Sequence, residues 1–227
     1  MQNNSKMTIV TLTLAALFSA LAYMVVFFIR IPLFIPSVSF LRYEPKDAVF
    51  ALEALILGPV PAVLSSLVVS LIEMVTMSQT GIIGAVMNFF STTAFILPIG
   101  IIYYRRKTLN SAVIGLLFGI FFETAAMLLW NYFISPYYMG ITREAIAKIL
   151  LPGFLPFNLI KSTLNAAITF LLYKPIMTVL RKANLLPKRE GSGEKKSNAL
   201  PIILNALCAV ILLAAAVTLI VTKIIAE

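Results

Sequence analysis

The hexapeptide Pro156-Phe157-Asn158-Leu159-Ile160-Lys161 places an amide and a lysine three positions apart, at the start of an apolar stretch that continues to Tyr173. Residues three apart lie on one face of an α-helix, so the two polar side chains are neighbours there. An ionisable side chain near or within a membrane span is costly and usually has a functional partner. The spacing therefore indicates that this face holds a small polar molecule.

Other polar residues are expected at the same end of neighbouring spans, namely Asn131, Glu44 and Asp47. An amide offers a donor beside an acceptor, and lysine offers a cationic donor. Together they suit a ring with an imide-like edge, while a carboxylate would accept from sugar-like hydroxyls or a ring N–H. The alternative is a structural network in which asparagines join helices and Lys161 is paired with Glu44 or Asp47. Residue types alone favour the structural network.

Composition places the chain in a membrane. Hydrophobic residues make up 60% of it, charged residues 12%, and the mean hydropathy is +0.98. A soluble chain of this length could not bury so much apolar surface. The net charge of +9 comes from basic residues beside apolar runs, a pattern typical of membrane orientation and not of nucleic-acid binding.

Several kinds of chemistry are excluded by missing residue types. The chain has no histidine and one cysteine, Cys208, which excludes histidine-based catalysis, most transition-metal sites and an internal disulfide framework. No GxxxxGK[ST] phosphate-binding motif is present, so the chain is not expected to hydrolyse ATP itself. We therefore expect a protein that is not an enzyme and has no catalytic residue, metal or bound cofactor.

Apolar runs predict an all-α membrane protein, a six-helix transmembrane bundle plus a C-terminal seventh hydrophobic helix. The second run is too short to cross a bilayer alone, so it must gain length from its flanks or be shielded by protein. Gly58-Pro59-Val60-Pro61 predicts a tight turn between the second and third helices. The first run is too long for a usual signal-peptide core and is expected to be retained. The predicted spans are 8–29, 47–57, 60–77, 84–103, 109–133, 154–173 and 199–222.

This pattern divides the chain into a six-span body over 1–180, a basic flexible cytoplasmic linker over 181–198 and an extra C-terminal transmembrane segment over 199–227. A cytoplasmic N-terminus leaves most of the 18 basic residues inside, including the loop Arg105-Arg106-Lys107. Loops 30–46, 78–83 and 134–153 then lie outside. Ser135-Pro136-Tyr137-Tyr138-Met139-Gly140 is expected to break the helix and supply rings for stacking, or an ordinary interfacial aromatic belt.

Five segments carry a resemblance to a known family over roughly residues 8–182. The chain resembles a substrate-binding S component of an energy-coupling factor (ECF) type ABC transporter, most closely the riboflavin-specific kind. The resemblance implies a six-helix vitamin binder in the bacterial plasma membrane, loaded from the extracellular side. The segments are Phe40-Leu41-Arg42-Tyr43-Glu44-Pro45-Lys46-Asp47, Gly58-Pro59, Gly84-Ala85-Val86-Met87-Asn88-Phe89-Phe90-Ser91-Thr92, Asn131-Tyr132 and Pro156-Phe157-Asn158-Leu159-Ile160-Lys161.

The resemblance also implies roles for individual residues in riboflavin binding. Asn131, Asn158 and Lys161 resemble the residues that hydrogen-bond the polar edge of the flavin ring. Glu44 resembles a carboxylate that contacts the ligand, and Asn88 is a further candidate. Rings and apolar side chains would cover the flavin faces, with Tyr43, Phe89 and Phe157 as candidates.

Small residues form two stripes. Ala16 and Ala20 lie four apart on the first span, which lets another helix approach closely. The resemblance implies that this face meets the membrane coupling subunit, which works with two ABC ATPases; spacing alone favours packing within the protein. Ser111, Gly115 and Gly119 form a similar ridge, which we assign to internal packing.

Two other functions stay open. Sequence alone does not distinguish riboflavin from another vitamin, such as a pterin or pantothenate. Glu53, Glu73 and Glu123 in apolar runs could also form the proton path of a stand-alone secondary transporter; alternatively, one or two of them sit near helix ends in a hydrated zone or pair with polar neighbours. The predicted seventh segment departs from the six-span family pattern.

Overall fold

The computed structural model describes residues 2–185 except 34, 78, 79 and 184. Five helical segments in this part of the chain are long and apolar enough to cross a membrane. A helix pairs most of its backbone polar groups within its own segment, as a lipid environment requires. The helices are α1 (Gln2–Phe28), α2 (Lys46–Ile56), α3 (Pro59–Thr76), α4 (Gly81–Arg106), α5 (Leu109–Phe133), α6 (Ser135–Met139), α7 (Arg143–Ile149) and α8 (Leu155–Lys182).

The short helix α2 lies inside the bundle. It has only 11 residues, and all of them except Ile56 are buried. The sequence predicted that so short a helix must either gain length from its flanks or be shielded from lipid by protein. The structure shows shielding by protein. Gly58, whose φ is +104°, ends the turn after α2, and Pro59 begins α3. The predicted tight turn is confirmed.

Glycines bring α4 and α5 into close contact. A Cβ added at Gly119 would lie 2.8 Å from the carbonyl oxygen of Phe95, and one at Gly115 would lie 3.1 Å from Cα of Ile99. Ser111, at the start of the same ridge, is buried. The ridge therefore serves internal packing, as predicted.

The end of the bundle where α1 finishes is covered by the segments between the long helices. Strand β1 (Ile31–Pro32) pairs antiparallel with β2 (Arg42–Tyr43), and a 3₁₀ turn (Pro36–Val38) lies between them. The predicted break after α5 is followed by the short helices α6 and α7, and a π-helical turn (Leu150–Phe154) leads into α8. A small hydrophobic cluster around Val38, Ile146 and Phe154 joins these segments.

The six predicted body helices correspond to α1, α2, α3, α4, α5 and α8, and α8 continues to Lys182. Most of the predicted linker over 181–198, and the whole predicted seventh helix within 199–227, lie outside the described residues.

Candidate ligand-binding site

A cavity of about 330 Å³ lies at the covered end of the bundle. It is lined by the segment between α1 and α2 and by residues of α2, α3, α4, α5, α6 and α8. All five residues predicted to bind a ligand line this one cavity, although they come from four different parts of the chain. Its charged and amide-bearing side chains are Arg30, Arg42, Glu44, Lys46, Glu73, Asn88, Asn131, Asn158 and Lys161.

Lys161 reaches the cavity from the first turns of α8. Its ammonium contacts Asp47 Oδ2 at 2.9 Å and Glu123 Oε1 at 2.8 Å, and it donates to Ser91 Oγ at 2.9 Å. The pairing with Asp47 matches one of the two structural alternatives considered from sequence. The other is wrong, because Glu44 pairs with Arg30 and Lys46 and not with Lys161. Glu123 was not anticipated as a partner, since 38 positions separate it from Lys161 in the chain.

Asn131 and Asn158 are buried, and each is anchored to its own helix. The Nδ2 of Asn158 donates to the Phe154 carbonyl at 2.7 Å, and the Nδ2 of Asn131 donates to the Met127 carbonyl at 2.7 Å. Asn131 Oδ1 also accepts from Ser135 at 2.8 Å. Each amide has two N–H groups, so one remains on each, and Asn158 Oδ1 accepts no side-chain hydrogen bond from the described residues. The two amides can therefore pair with a ligand.

Glu44 belongs to a chain of charged groups along one wall of the cavity. Its carboxylate contacts Arg30 Nε and Lys46 Nζ, each at 3.2 Å. Lys46 also contacts Glu73 Oε2 at 2.5 Å, and Asn88 donates to the same oxygen at 3.1 Å. Arg30 and Glu44 both come from the segment between α1 and α2. Asn88 lines the cavity as predicted, but one of its N–H groups is already used by Glu73.

Apolar side chains complete the lining. Phe157 lines the cavity, as proposed for a ring-covering residue, and so does Phe40. Three methionines, Met77, Met87 and Met127, also line it and were missed. Their thioether side chains adapt to irregular surfaces, but methionines in an apolar helix give no distinct sequence signal.

Two other proposed ring-covering residues do not line the cavity. The Tyr43 hydroxyl donates to Asn165 Oδ1 at 3.0 Å in the protein interior, where burial raises its pKa. Phe89 lies on α4 beside the cavity-lining Asn88 but does not line the cavity itself. Tyr138, from the segment expected to supply rings, does line it, and its hydroxyl is 2.9 Å from Ser135 Oγ.

The three carboxylates considered for a proton path have separate partners. Glu53 accepts from Ser65 at 2.7 Å, whereas Glu73 pairs with Lys46 and Glu123 pairs with Lys161. Of the three, only Glu73 lines the cavity. The geometry therefore agrees with pairing to polar neighbours.

Ala16 and Ala20 lie on the outside of the described bundle. Both are exposed, whereas Leu14 and Phe18 on the same helix are buried. Packing within the described protein, which the spacing alone favoured, is therefore wrong for these two residues.

A helical membrane bundle that encloses a polar cavity at one end defines a membrane protein that binds a small molecule. The chain belongs to the ECF transporter, substrate-specific component family, whose model matches residues 10–173. It is therefore a transporter component of the membrane, and the resemblance noted in the sequence is confirmed.

Individual relatives agree with this family. The chain is 27% identical over 189 residues to the riboflavin transporter RibU of Staphylococcus aureus, covering 80% of this chain and 95% of that protein. It is 26% identical over 158 residues to the riboflavin transporter FmnP of Bacillus subtilis, covering 64% of this chain and 83% of that protein. Its structure is similar to the S component of a bacterial ECF transporter, with a TM-score of 0.64, 26% identity, and coverage of 80% of this chain and 99% of that chain.

Proposed function

We propose that this chain binds riboflavin in the cavity and serves its uptake as the substrate-binding subunit of an ECF transporter. One observation carries the proposal: Glu44, Asn88, Asn131, Asn158 and Lys161 line a single cavity. Its volume falls within the range of small-molecule sites, which combine an apolar lining with a few orienting polar groups. The names of the relatives, riboflavin transporters, supply the ligand.

The chemistry of the polar residues fits the imide-like edge of a flavin, which alternates carbonyl, N–H and carbonyl. Asn158 offers an acceptor for the ring N–H and a donor for a neighbouring carbonyl. Asn131 offers a further donor for a carbonyl oxygen, and Lys161 offers a cationic donor to a carbonyl that takes the place of one of its present acceptors. Glu44, in the loop before α2, would accept from the hydroxyls of the ribityl chain.

The balance of charged side chains around the cavity supports a neutral ligand. Four cations and four carboxylates lie in the cavity wall or directly against it, so their formal charges cancel. An anionic vitamin such as pantothenate would bring an uncompensated charge into this site, which costs free energy. The eight residues are Arg30, Arg42, Lys46, Lys161, Glu44, Asp47, Glu73 and Glu123.

The cavity is proposed to receive its ligand from the extracellular side, with the N-terminus cytoplasmic. The cavity lies near the start of α4 and α8, whereas both helices end in basic residues, Arg105 and Arg106 on α4 and Arg181 and Lys182 on α8. From Gly84 in the cavity wall to Arg106, α4 rises about 33 Å, which is roughly the thickness of the hydrocarbon core. The basic ends therefore favour the cytoplasmic side.

A titration with a panel of vitamins tests the ligand. Calorimetry of the purified full chain is expected to show saturable binding of riboflavin and much weaker binding of a pterin or of pantothenate. If the pterin or pantothenate bound more tightly than riboflavin, that vitamin and not riboflavin would be the ligand.

Transport is proposed to need an energising module with a membrane coupling subunit and two ABC ATPases. The chain has no nucleotide-binding motif, and Ala16 and Ala20 leave an outward face with small side chains for a partner helix. The competing function is a proton-coupled carrier that works alone.

Reconstituted vesicles distinguish these two functions. The isolated chain is expected to accumulate no riboflavin under an imposed proton gradient, and uptake is expected to start when the energising module and internal ATP are added. Gradient-driven uptake by the chain alone would contradict the subunit mechanism.

The domain division remains a proposal beyond the six-helix body. A basic linker over 181–198 would lead to a seventh span within 199–227. In a Cys208→Ser background, Ile225→Cys is expected to react with an impermeant thiol reagent from outside the cell; reaction only from the cytoplasmic face would show that the segment does not cross.

A further inference from the structure

The ammonium of Lys161 has no unused donor among the described residues. Lysine carries three N–H groups and no acceptor. Here they face Asp47 Oδ2, Glu123 Oε1 and Ser91 Oγ, at 2.9, 2.8 and 2.9 Å. A ligand carbonyl can therefore reach this ammonium directly only by replacing one of the three acceptors.

The three acceptors differ in their access to the cavity. Ser91 lines it, whereas the side chains of Asp47 and Glu123 are fully buried behind the lysine, whose own side chain is 15% exposed. Each carboxylate also accepts a further hydrogen bond from a neighbouring hydroxyl. Thr92 donates to Asp47 Oδ1 at 2.6 Å, and Ser91 donates to Glu123 Oε1 at 3.0 Å.

The acceptors also differ in strength. All three bonds have an ionised donor, but Asp47 and Glu123 also carry a negative charge that attracts the ammonium, whereas the Ser91 hydroxyl is neutral. Removing either carboxylate from Lys161 would also leave buried charge unpaired, which is costly. Ser91 is a neutral acceptor at the cavity wall, so of the three it is the one that a ligand oxygen can replace.

We propose that Asp47 and Glu123 are positioning residues that hold the Lys161 ammonium against the cavity, and that a ligand carbonyl replaces Ser91 as its third acceptor. This inference rests on the proposed function, because the carbonyl is that of the flavin ring edge. It also reconciles the two interpretations of Lys161, since two donors serve the protein and the third serves the ligand.

The test compares riboflavin with analogues changed at one end only. In 2-thioriboflavin or 4-thioriboflavin a ring carbonyl oxygen becomes sulfur, a weak acceptor, whereas lumiflavin lacks the ribityl chain. For the wild-type full chain, one of the thio analogues is expected to bind at least about tenfold more weakly than riboflavin, as expected for a hydrogen bond to a charged group.

Asp47→Asn and Glu123→Gln are each expected to weaken riboflavin binding at least about fivefold. In these variants the thio penalty, which is the Kd of the thio analogue divided by that of riboflavin, should fall to about threefold or less. The lumiflavin penalty, which is the Kd of lumiflavin divided by that of riboflavin, should stay within about twofold of its wild-type value, because the substitutions leave the ribityl end of the site unchanged. If a variant weakened the binding of riboflavin, of the thio analogue and of lumiflavin by the same factor, Asp47 and Glu123 would have a structural role only and the proposal would be overturned.

Two further variants complete the design. Ser91→Ala removes the competing acceptor together with the hydrogen bond from Ser91 to Glu123, but Glu123 keeps its ion pair with Lys161. Riboflavin affinity is therefore expected to rise by about 2- to 10-fold; a comparable fall would overturn the replacement of Ser91. Glu53→Gln alters a fully buried carboxylate that is hydrogen-bonded to Ser65 and does not line the cavity. This variant should keep the wild-type affinity for riboflavin and both penalties.

The wild-type chain distinguishes failure of the proposed function from failure of this inference. If it does not bind riboflavin, both are overturned. If it binds riboflavin and the Asp47 and Glu123 variants bind with the same affinity, the inference alone is overturned.

Discussion

Replacing Asn158 by alanine separates ligand binding from protein stability. The Asn158 side chain makes one hydrogen bond within the described protein, from Nδ2 to the Phe154 carbonyl at 2.7 Å. Losing a bond of this kind costs about 0.5–1.5 kcal/mol of folding free energy. In the complex, the change would also leave a ring N–H or carbonyl of riboflavin unpaired in a buried site. That costs about 1–3 kcal/mol, so the Kd for riboflavin is expected to rise by about 5- to 150-fold.

Ser162→Ala is a matched control one turn further along α8. The Ser162 hydroxyl donates to the Asn158 carbonyl at 2.7 Å, also four residues back, and it is equally buried. It does not line the cavity. Both variants should therefore lose similar stability in thermal unfolding, while calorimetry should show weaker riboflavin binding only for Asn158→Ala. Equal riboflavin affinities in the two variants would refute the assignment of Asn158 to the site.

Three other substitutions probe different parts of the account. Lys161→Ala should abolish measurable riboflavin binding and lower the free energy of unfolding by about 3–5 kcal/mol, because two buried carboxylates lose their cation; an unchanged denaturation midpoint would contradict the ion pairs. Ala16→Trp should spare riboflavin binding but stop uptake in vesicles that contain the energising module, whereas Leu17→Trp, also exposed but off the small-residue stripe, should leave more uptake. Gly119→Ala should destabilise the bundle by about 1–3 kcal/mol, since its Cβ would lie 2.8 Å from the Phe95 carbonyl oxygen; thermal unfolding measures this loss.

The spans and the polar ends of the helices could be predicted from the sequence because they depend on local signals. Runs of apolar residues gave the six body helices, and Gly58-Pro59 gave the turn between α2 and α3. Counting membrane crossings along the sequence predicted that Asn131 and Asn158 lie at the same end of the bundle. None of these steps needs knowledge of how the helices pack.

What the sequence did not reveal depends on packing over long distances along the chain. The Lys46–Glu73 and Lys161–Glu123 pairs join different helices, and charge type alone does not select the partner. Each strand of the β1–β2 hairpin has only two residues, too few for an alternating pattern. Tyr43 was misplaced as well: the resemblance suggested a residue that covers the ring, whereas its hydroxyl donates to Asn165 in the protein interior.

The absorption spectrum of the purified chain tests the central claim most directly. Full-length protein produced in cells supplied with riboflavin, extracted in mild detergent and freed of unbound vitamin, should retain one flavin per chain, visible as flavin absorption and identifiable by mass spectrometry after release. Asn158→Ala, prepared in the same way, should retain much less. Wild-type protein that is folded, carries no flavin and does not take up added riboflavin would contradict the account.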